Sequence, residues 1–345
     1  MAAPSAAARR RPITREYDGD EAIYRLQGRR ITRTAEIERL NALAVPPAWR
    51  DVEIARSPRA KVLATGVDAA GRTQAIYHPA YRRRREREKF DRMVRFAESL
   101  PAMRARVDRD LRRRRLSRDR VIACVVRVID EQFFRVGNAA YASRGGGRGV
   151  TTLEWEHVTP GAEAVRFDFV GKSGRRQRRM VRDARVARVI ARLESLPGDE
   201  VFRFFDEDGL IHRLDSRHVN AYVKRHMGEE FTAKDFRTWG GTVVAASALF
   251  SWARDVADDS GSTDDASDAA AESRDAAAAR RRAIALVAER LGNTPAVAKS
   301  SYIDPRVLQA FENPAEIARV HRVRLRARRY LSVDEQRVLL LLRED

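Results

Sequence analysis

The sequence predicts an α+β chain in two domains. At 345 residues it can bury a sizeable core, and its length favours two domains over one. Short strand candidates crowd before residue 81, three more fall between residues 152 and 181, and from Asp183 onward the apolar spacing is helical.

Residues 1–20 read as a flexible basic arm, because residues 1–15 are rich in Ala, Pro and Arg and lack the apolar core of a secretory signal. Residues 21–85 read as a β-rich domain. A short helix over 35–43 is broken by Val45-Pro46-Pro47-Ala48-Trp49. Strands are expected over 52–54, 62–65 and 74–77, with Gly66 and Asp68-Ala69-Ala70-Gly71 turning between the last two. Residues 86–345 form the second domain. The basic run over 82–87 opens a helix that continues through Phe90, Met93, Val94 and Phe96, and a second helix spans 118–134. After a glycine-rich loop at 145–149 come strands over 152–157, 165–170 and 177–181. In the middle one Val165, Phe167 and Phe169 alternate with Arg166 and Asp168, and Gly171-Lys172-Ser173-Gly174 is its hairpin turn. Helices are expected over 186–196, 216–227, 232–249, 277–291 and 314–330. A last one is opened by the capping box Ser332-Val333-Asp334-Glu335. Residues 255–275, dominated by Asp, Ala and Ser, read as an acidic flexible linker or loop whose charge opposes a polyanion.

The charge balance narrows the partner. A formal net charge of +19, 34% charged residues and a pI near 10.9 call for a polyanion, while 43% apolar residues exclude a disordered chain. Nucleic acid leads, since Lys and Arg on a phosphate backbone release counterions. An anionic membrane surface is the rival, but no apolar run is long enough to span a bilayer and no lipidation motif is present. A cytoplasmic, nucleoid-associated protein without membrane contact is expected. Cys124, the only cysteine, excludes an internal disulfide and a multi-cysteine zinc site, and its apolar neighbours make it a core residue. His212, His218 and His226 lack the H-E-x-x-H spacing and read as surface or nucleic-acid-facing residues. No cofactor and no metal are called for.

Chemistry gathers in three segments: Phe134-Arg135-Val136-Gly137-Asn138, Lys234-Asp235-Phe236-Arg237-Thr238-Trp239-Gly240-Gly241 and the block from Leu291 to Ile303 containing Tyr302. A tyrosine hydroxyl, two arginines and a lysine are the parts needed to attack a phosphodiester without a metal. A free phenol has a pKa near 10, so attack needs cations that favour the phenolate. Alone, Tyr302 would be one more packed aromatic and Arg135 one more surface charge. Arg237, between Phe236 and Trp239, reads as a partly buried guanidinium that needs an anionic partner. The basic charge is almost all arginine, the lysines being Lys61, Lys89, Lys172, Lys224, Lys234 and Lys299. Lysine can donate its proton where arginine cannot. Lys172, at a hairpin tip between glycines, is either an exposed turn residue or a general acid.

Taken together these segments resemble the type IB DNA topoisomerases of the compact poxvirus and bacterial group. The matching motifs are Val45-Pro46-Pro47-Ala48-Trp49, Gly71-Arg72-Thr73-Gln74-Ala75-Ile76-Tyr77-His78-Pro79, Arg135-Val136-Gly137-Asn138, Gly149-Val150-Thr151-Thr152-Leu153, Val170-Gly171-Lys172, Lys234-Asp235-Phe236-Arg237-Thr238 and the Leu291 to Tyr302 block, in family order over about residues 40–305. The resemblance implies a small β-rich N-terminal DNA-binding domain and a larger, mostly helical catalytic domain with a small three-stranded antiparallel sheet, closing around duplex DNA as a clamp. It implies that Tyr302 attacks the scissile phosphorus to form a 3′-phosphotyrosyl link, that Arg135 and Arg237 hold the non-bridging oxygens, and that Lys172 protonates the departing 5′-oxygen. Asn293 stands where many relatives have histidine; an amide can donate a hydrogen bond but supplies no full charge. Arg72, Gln74, Tyr77 and Tyr141 match DNA-contact positions, and Lys234 is assigned a supporting phosphate contact. A monomer that relaxes supercoils without ATP is expected. A tyrosine recombinase is the alternative, although such enzymes usually carry His-x-x-Arg where this chain has Lys234-x-x-Arg237. A non-catalytic basic DNA-binding protein is the second alternative.

Overall fold

A six-stranded antiparallel sheet opens the chain, and its first strand lies inside the stretch expected to be a frayed arm. The structure, a computed structural model, describes residues 11–139, 147–259 and 267–343. Strands β1 (Ile13–Asp18), β2 (Glu21–Leu26) and β3 (Arg29–Arg30) precede helix α1 (Thr34–Asn41), and β4 (Arg50–Ile54), β5 (Val62–Val67) and β6 (Thr73–Tyr77) follow, in the spatial order β3-β2-β1-β4-β5-β6. The reading of residues 1–20 as a flexible arm is corrected over 13–18. Ile13 is buried and stands opposite both Leu26 and Ile54. Arg15 gives hydrogen bonds to the carbonyls of Val45, Pro46 and Trp49 at 2.6, 2.8 and 3.1 Å. Two adjacent prolines have no N–H to donate, so that loop depends on a donor from elsewhere, and a charged arginine on β1 supplies it. Gly66 lets the sheet approach the Trp49 indole, which a Cβ would meet at 2.9 Å. Tyr24, Leu40, Val52 and Ile54 complete the core of this first compact unit, Met1–Lys89.

The second compact unit, Phe90–Asp345, holds most of the helices. Helix α2 (Pro79–Leu111) begins in the first unit and ends in the second, and α3 (Arg118–Gln132) is buried on nearly every side from Arg120 to Ile129. Cys124 is buried there as expected, and burial pushes its thiol up. A three-stranded antiparallel sheet follows, β7 (Val158–Pro160), β8 (Val165–Val170) and β9 (Arg176–Val181), in that spatial order. Then come α4 (Ala184–Glu194), a hairpin of β10 (Arg203–Phe205) and β11 (Ile211–Arg213), α5 (Ser216–Met227), α6 (Ala233–Asp259), α7 (Ser267–Leu291), α8 (Pro295–Ser301), α9 (Pro305–Ala310), α10 (Pro314–Arg322) and α11 (Val333–Leu342). No helix among the described residues is long and apolar enough to cross a membrane.

Several elements differ from expectation, each for a local reason. Residues 152–157 are not a strand. Thr152 Oγ1 bonds both the N–H and the carbonyl of Gly149, and His157 Nδ1 meets the Glu154 N–H, so side chains close short 3-10 turns in place of a ladder. The acidic segment 255–275 is helical at 255–259 and from 267 onward, because alanine is the best helix former even where little can be buried; residues 260–266 lie outside the described residues. The helix expected over 314–330 stops at Arg322, where Val323 is exposed and an arginine-rich stretch has no apolar face to bury. Helices α8 and α9 and the β10–β11 hairpin were not expected.

One charge network ties this unit together. Arg104 on α2 gives paired hydrogen bonds to Asp130 on α3 at 2.7 and 2.9 Å and to Glu335 on α11 at 3.0 and 2.8 Å. Glu335 also closes the Ser332 capping box and accepts from the Trp239 indole of α6 at 3.2 Å. Glu335→Ala strips a buried arginine and a buried indole of an acceptor. It is expected to lower unfolding stability by about 3 kcal/mol, read as a shifted denaturant midpoint of the full chain; an unmoved midpoint contradicts the network's role.

Candidate active site

Phe133 ends α3 in the left-handed conformation, at φ 56°, and turns the chain toward the three-stranded sheet. Phe134 then seats edge-on against Phe167 and Phe169 of β8, with centroids 5.6 and 5.0 Å away. The next residue, Arg135, is held by its backbone: its carbonyl accepts from the Val150 N–H at 2.9 Å, and Val136 accepts from Thr151 at 2.8 Å. This strap needs glycines, since a Cβ at Gly149 would lie 2.5 Å from Gly137 Cα, and Gly137 sits at φ 97°.

Arg237 reaches the same place from α6. It is 3% exposed. Nη1 donates to the Phe133 carbonyl and Nη2 to the Leu291 carbonyl at 3.0 Å, while Nε has no partner among the described residues. Two helix glycines make the approach possible: a Cβ at Gly240 would be 2.1 Å from the Phe133 ring, and one at Gly241 would be 2.6 Å from the Tyr302 carbonyl. The end of α7 supplies the third side. Asn293 is 6% exposed; its Oδ1 accepts from Arg135 Nη2 at 2.5 Å, and its buried Nδ2 has no partner among the described residues. Thr294 caps α8, Pro295 opens it, and Tyr302 closes it with its N–H on the Ala298 carbonyl at 3.0 Å.

The Tyr302 side chain is buried, but its surroundings are cationic. The Arg237 guanidinium carbon lies 5.1 Å from its ring centroid. Burial pushes the phenol up, yet the charge of Arg237 and its hydrogen bond to the phenol oxygen, then the charges of Arg135 and Lys234, overcome it and bring the Tyr302 pKa below that of an ordinary phenol. Burial presses Arg237 down to about 10, with the tyrosine opposing and Arg135 adding to the shift, so it stays protonated at neutral pH. Arg135 is pressed down by burial as well. Neither arginine forms an ion pair with a carboxylate among the described residues; each donates only to neutral oxygens. The result is a cationic site with a phenol and an unused amide N–H, suited to a tetrahedral anion.

Tyr302, Arg237, Arg135 and Asn293 are thus brought together from three separate segments. Lys234 is exposed where Arg237 is buried, but its charge also acts on Tyr302. Lys172 stands apart, exposed in a tight turn (Lys172–Gly174) with Ser173 at φ 62°, and makes no hydrogen bond or ion pair among the described residues. Arg72, Gln74 and Tyr77 belong to the first unit. Asp68 accepts from Arg72 Nε at 2.7 Å and from Gln74 at 2.8 Å, and these bonds, Arg72's first, hold its carboxyl well below the usual range. Tyr77 is exposed, and its ring lies tilted against that of Tyr81 with centroids 5.5 Å apart. Tyr141 lies outside the described residues. His218 is a helix-cap partner of Asp215, and His226 packs on Tyr222. Three roles were missed: that of Phe133, whose carbonyl holds Arg237; the close helix approach at Gly240; and that of Gln177, which crowds the positive-φ Gly292. Adjacent glycines inside an apolar helix were the available signal. Glu154, Glu156 and His157 bring ligand-type atoms within 4.8 Å of one another, but Arg148 already holds the Glu154 carboxylate at 2.5 and 2.7 Å.

Known proteins resemble the chain along most of its length. Residues 78–328 match the family described as eukaryotic DNA topoisomerase I, catalytic core, and residues 23–68 match the bacterial DNA topoisomerase IB N-terminal domain. DNA topoisomerase 1B of Acanthamoeba polyphaga mimivirus is 32% identical over 315 residues, 90% of each chain. Among solved structures, the XerH site-specific recombinase bound to its palindromic difH substrate (post-cleavage complex) is 13% identical with a TM-score of 0.35, over 63% of this chain and 49% of that one. The chain spans about half the length of that recombinase.

The electrostatics of the site predict that one phenol in the protein ionises below the rest. A spectroscopic pH titration of wild type against Tyr302→Phe should show that early ionisation lost in the variant, and Arg237→Gln should weaken it by about tenfold or more in ionisation constant. An early phenol that survives Tyr302→Phe contradicts the assignment.

Proposed function

The chain belongs to the type IB DNA topoisomerase family, and we propose that Tyr302 is the nucleophile with which it cuts one strand of duplex DNA. The phenolate oxygen attacks the scissile phosphorus, a P–O bond forms to Tyr302, and the bond to the 5′-oxygen breaks. The departing oxygen takes a proton from Lys172 and leaves as a hydroxyl. Arg135 and Arg237 carry the charge that gathers on the non-bridging oxygens, and Asn293 donates its amide N–H to one of them. The phosphotyrosyl ester keeps the energy of the broken bond, so the 5′-hydroxyl can attack in reverse and reseal the strand without ATP. While the strand is open, torsional strain turns the free duplex end and supercoils relax. The phosphate charge is met by arginine, and no step draws on a metal ion.

The observation that carries this reading is the contact of Tyr302 with Arg237, a buried cation that two neutral carbonyls hold and no carboxylate among the described residues pairs. A phosphate supplies the missing anion. Lys172 suits its role because its exposed turn leaves it free to follow the DNA. Arg72, Gln74, Tyr77, Tyr141 and Lys234 are read as DNA contacts. On this reading the enzyme works as a monomer, at the nucleoid in the cytoplasm. The 32% identity to a DNA topoisomerase 1B over 90% of the chain favours this reading over a recombinase.

Plasmid relaxation in EDTA without ATP is the direct test. Wild type should relax the plasmid, and Tyr302→Phe should bind DNA but neither nick it nor become trapped on it in denaturant; relaxation by that variant removes Tyr302 as the nucleophile. Lys172→Ala is expected to slow cleavage by about 10²- to 10⁴-fold. Replacing the leaving 5′-oxygen by sulfur should restore most of the rate, and a cleavage rate that sulfur leaves unchanged rules out the general-acid role.

A further inference from the structure

Strand β9 brings one polar side chain against the turn that delivers Asn293. Its residues alternate. Arg176 and Arg178 face outward and pair with Asp168 at 2.6 and 3.2 Å, while Gln177, Arg179 and Val181 lie on the inward face. That face meets the end of α7. Arg179 Nη2 donates to the Glu289 carbonyl at 3.2 Å, and Gln177 lies against Gly292. A Cβ at Gly292 would be 2.5 Å from Gln177 Nε2, and Gly292 sits at φ 62°. Glycine therefore permits the turn and also leaves the room that the amide occupies.

Packing alone does not call for glutamine here. Gln177 is 9% exposed, and both its ladder partner Phe169 and its same-face neighbour Val181 are buried apolar residues. An apolar side chain would fill this space without desolvating an amide. The Gln177 amide makes no hydrogen bond among the described residues, and a buried donor without an acceptor costs stability. Asn293, the residue after Gly292, has the same property at its Nδ2. Two unpaired amides, one from β9 and one from the turn after α7, are thus gathered at a single glycine. Asn293 there already touches Arg135, and Gln177 shares its hairpin with Lys172.

We propose that the Gln177 amide donates a hydrogen bond to a phosphate oxygen of the cleaved strand. The inference rests on the reading of Tyr302 as the nucleophile and adds one substrate contact to it. A primary amide donates without adding charge, and a hydrogen bond to an ionised oxygen is stronger than one between neutral groups. A donor already fixed by its surroundings needs no reorganisation when the anion arrives. The hairpin that presents the general acid would then also hold the strand on which that acid works.

The test is single-turnover cleavage of synthetic duplexes by the full chain at a mapped site. Gln177→Met keeps the reach of the side chain and removes the donor. It should cleave ordinary DNA about tenfold or more slowly than wild type. Gln177→Glu, whose carboxylate repels phosphate, should be slower still. The duplexes are then made with a methylphosphonate, in which a methyl group replaces one non-bridging oxygen, at the scissile linkage or at the linkage on either side, each diastereomer separately. The Gln177→Met defect should vanish at the linkage whose oxygen Gln177 contacts and persist at the others. Each comparison is made within one protein, so a partly unfolded variant does not imitate it. Cleavage by Gln177→Met at the wild-type rate, or a defect of equal size on every duplex, overturns the proposal. Cleavage by Tyr302→Phe on the same duplexes would instead remove the nucleophile assignment, an outcome read independently of the Gln177 ratios.

Discussion

Arg237 is a buried cation stabilised by the ends of two helices. Phe133 is the C-cap of α3 and Leu291 the last residue of α7, and their carbonyls are among those a helix leaves without an internal partner. Both accept from Arg237. Carbonyls at a helix C-terminus carry partial negative charge, so they make burial of the guanidinium tolerable without neutralising it. A carboxylate in their place would hold Arg237 more tightly and leave it nothing for a phosphate. The arrangement keeps a desolvated positive charge in a fixed position, which is the condition under which electrostatic stabilisation of a developing anion is strongest.

The remaining geometry follows from bringing those two helix ends together. Helix α6 must pass close to both, which accounts for Gly240 against the Phe133 ring and Gly241 against the Tyr302 backbone. The left-handed turn at Phe133 sends Phe134 into the sheet and delivers Arg135, and the turn at Gly292 delivers Asn293 to meet it. Tyr302 closes the short helix that follows, above Arg237. The Arg104–Asp130–Glu335 network braces α2, α3 and α11 behind this site and reaches α6 through the Trp239 indole.

Much of this was legible in the sequence because the signals were local. The capping box at Ser332, the alternation over 165–170 and the helix over 216–227 match the structure closely, since each rests on periodicity or a cap within a few residues. Strand β1 was not legible: its reason to be ordered is Arg15 reaching carbonyls some thirty residues away. Helices α8 and α9 did carry readable signs, Thr294-Pro295 and Asp304-Pro305 at cap and first turn, but their shortness hid any apolar period. At the site, the residue types were visible in three segments. The carbonyl partners of Arg237 were not, because backbone groups leave no mark on side-chain pattern.

The central claim is that the phenol beside Arg237 becomes esterified to DNA. Mass spectrometry of the denatured covalent complex, after nuclease and trypsin digestion, tests it directly. The peptide expected to carry the nucleotide is Ser300-Ser301-Tyr302-Ile303-Asp304-Pro305-Arg306, whose two serines offer an internal comparison. Fragment ions that place the added mass on Tyr302 are the predicted result; the mass on either serine, or on another peptide, contradicts the account.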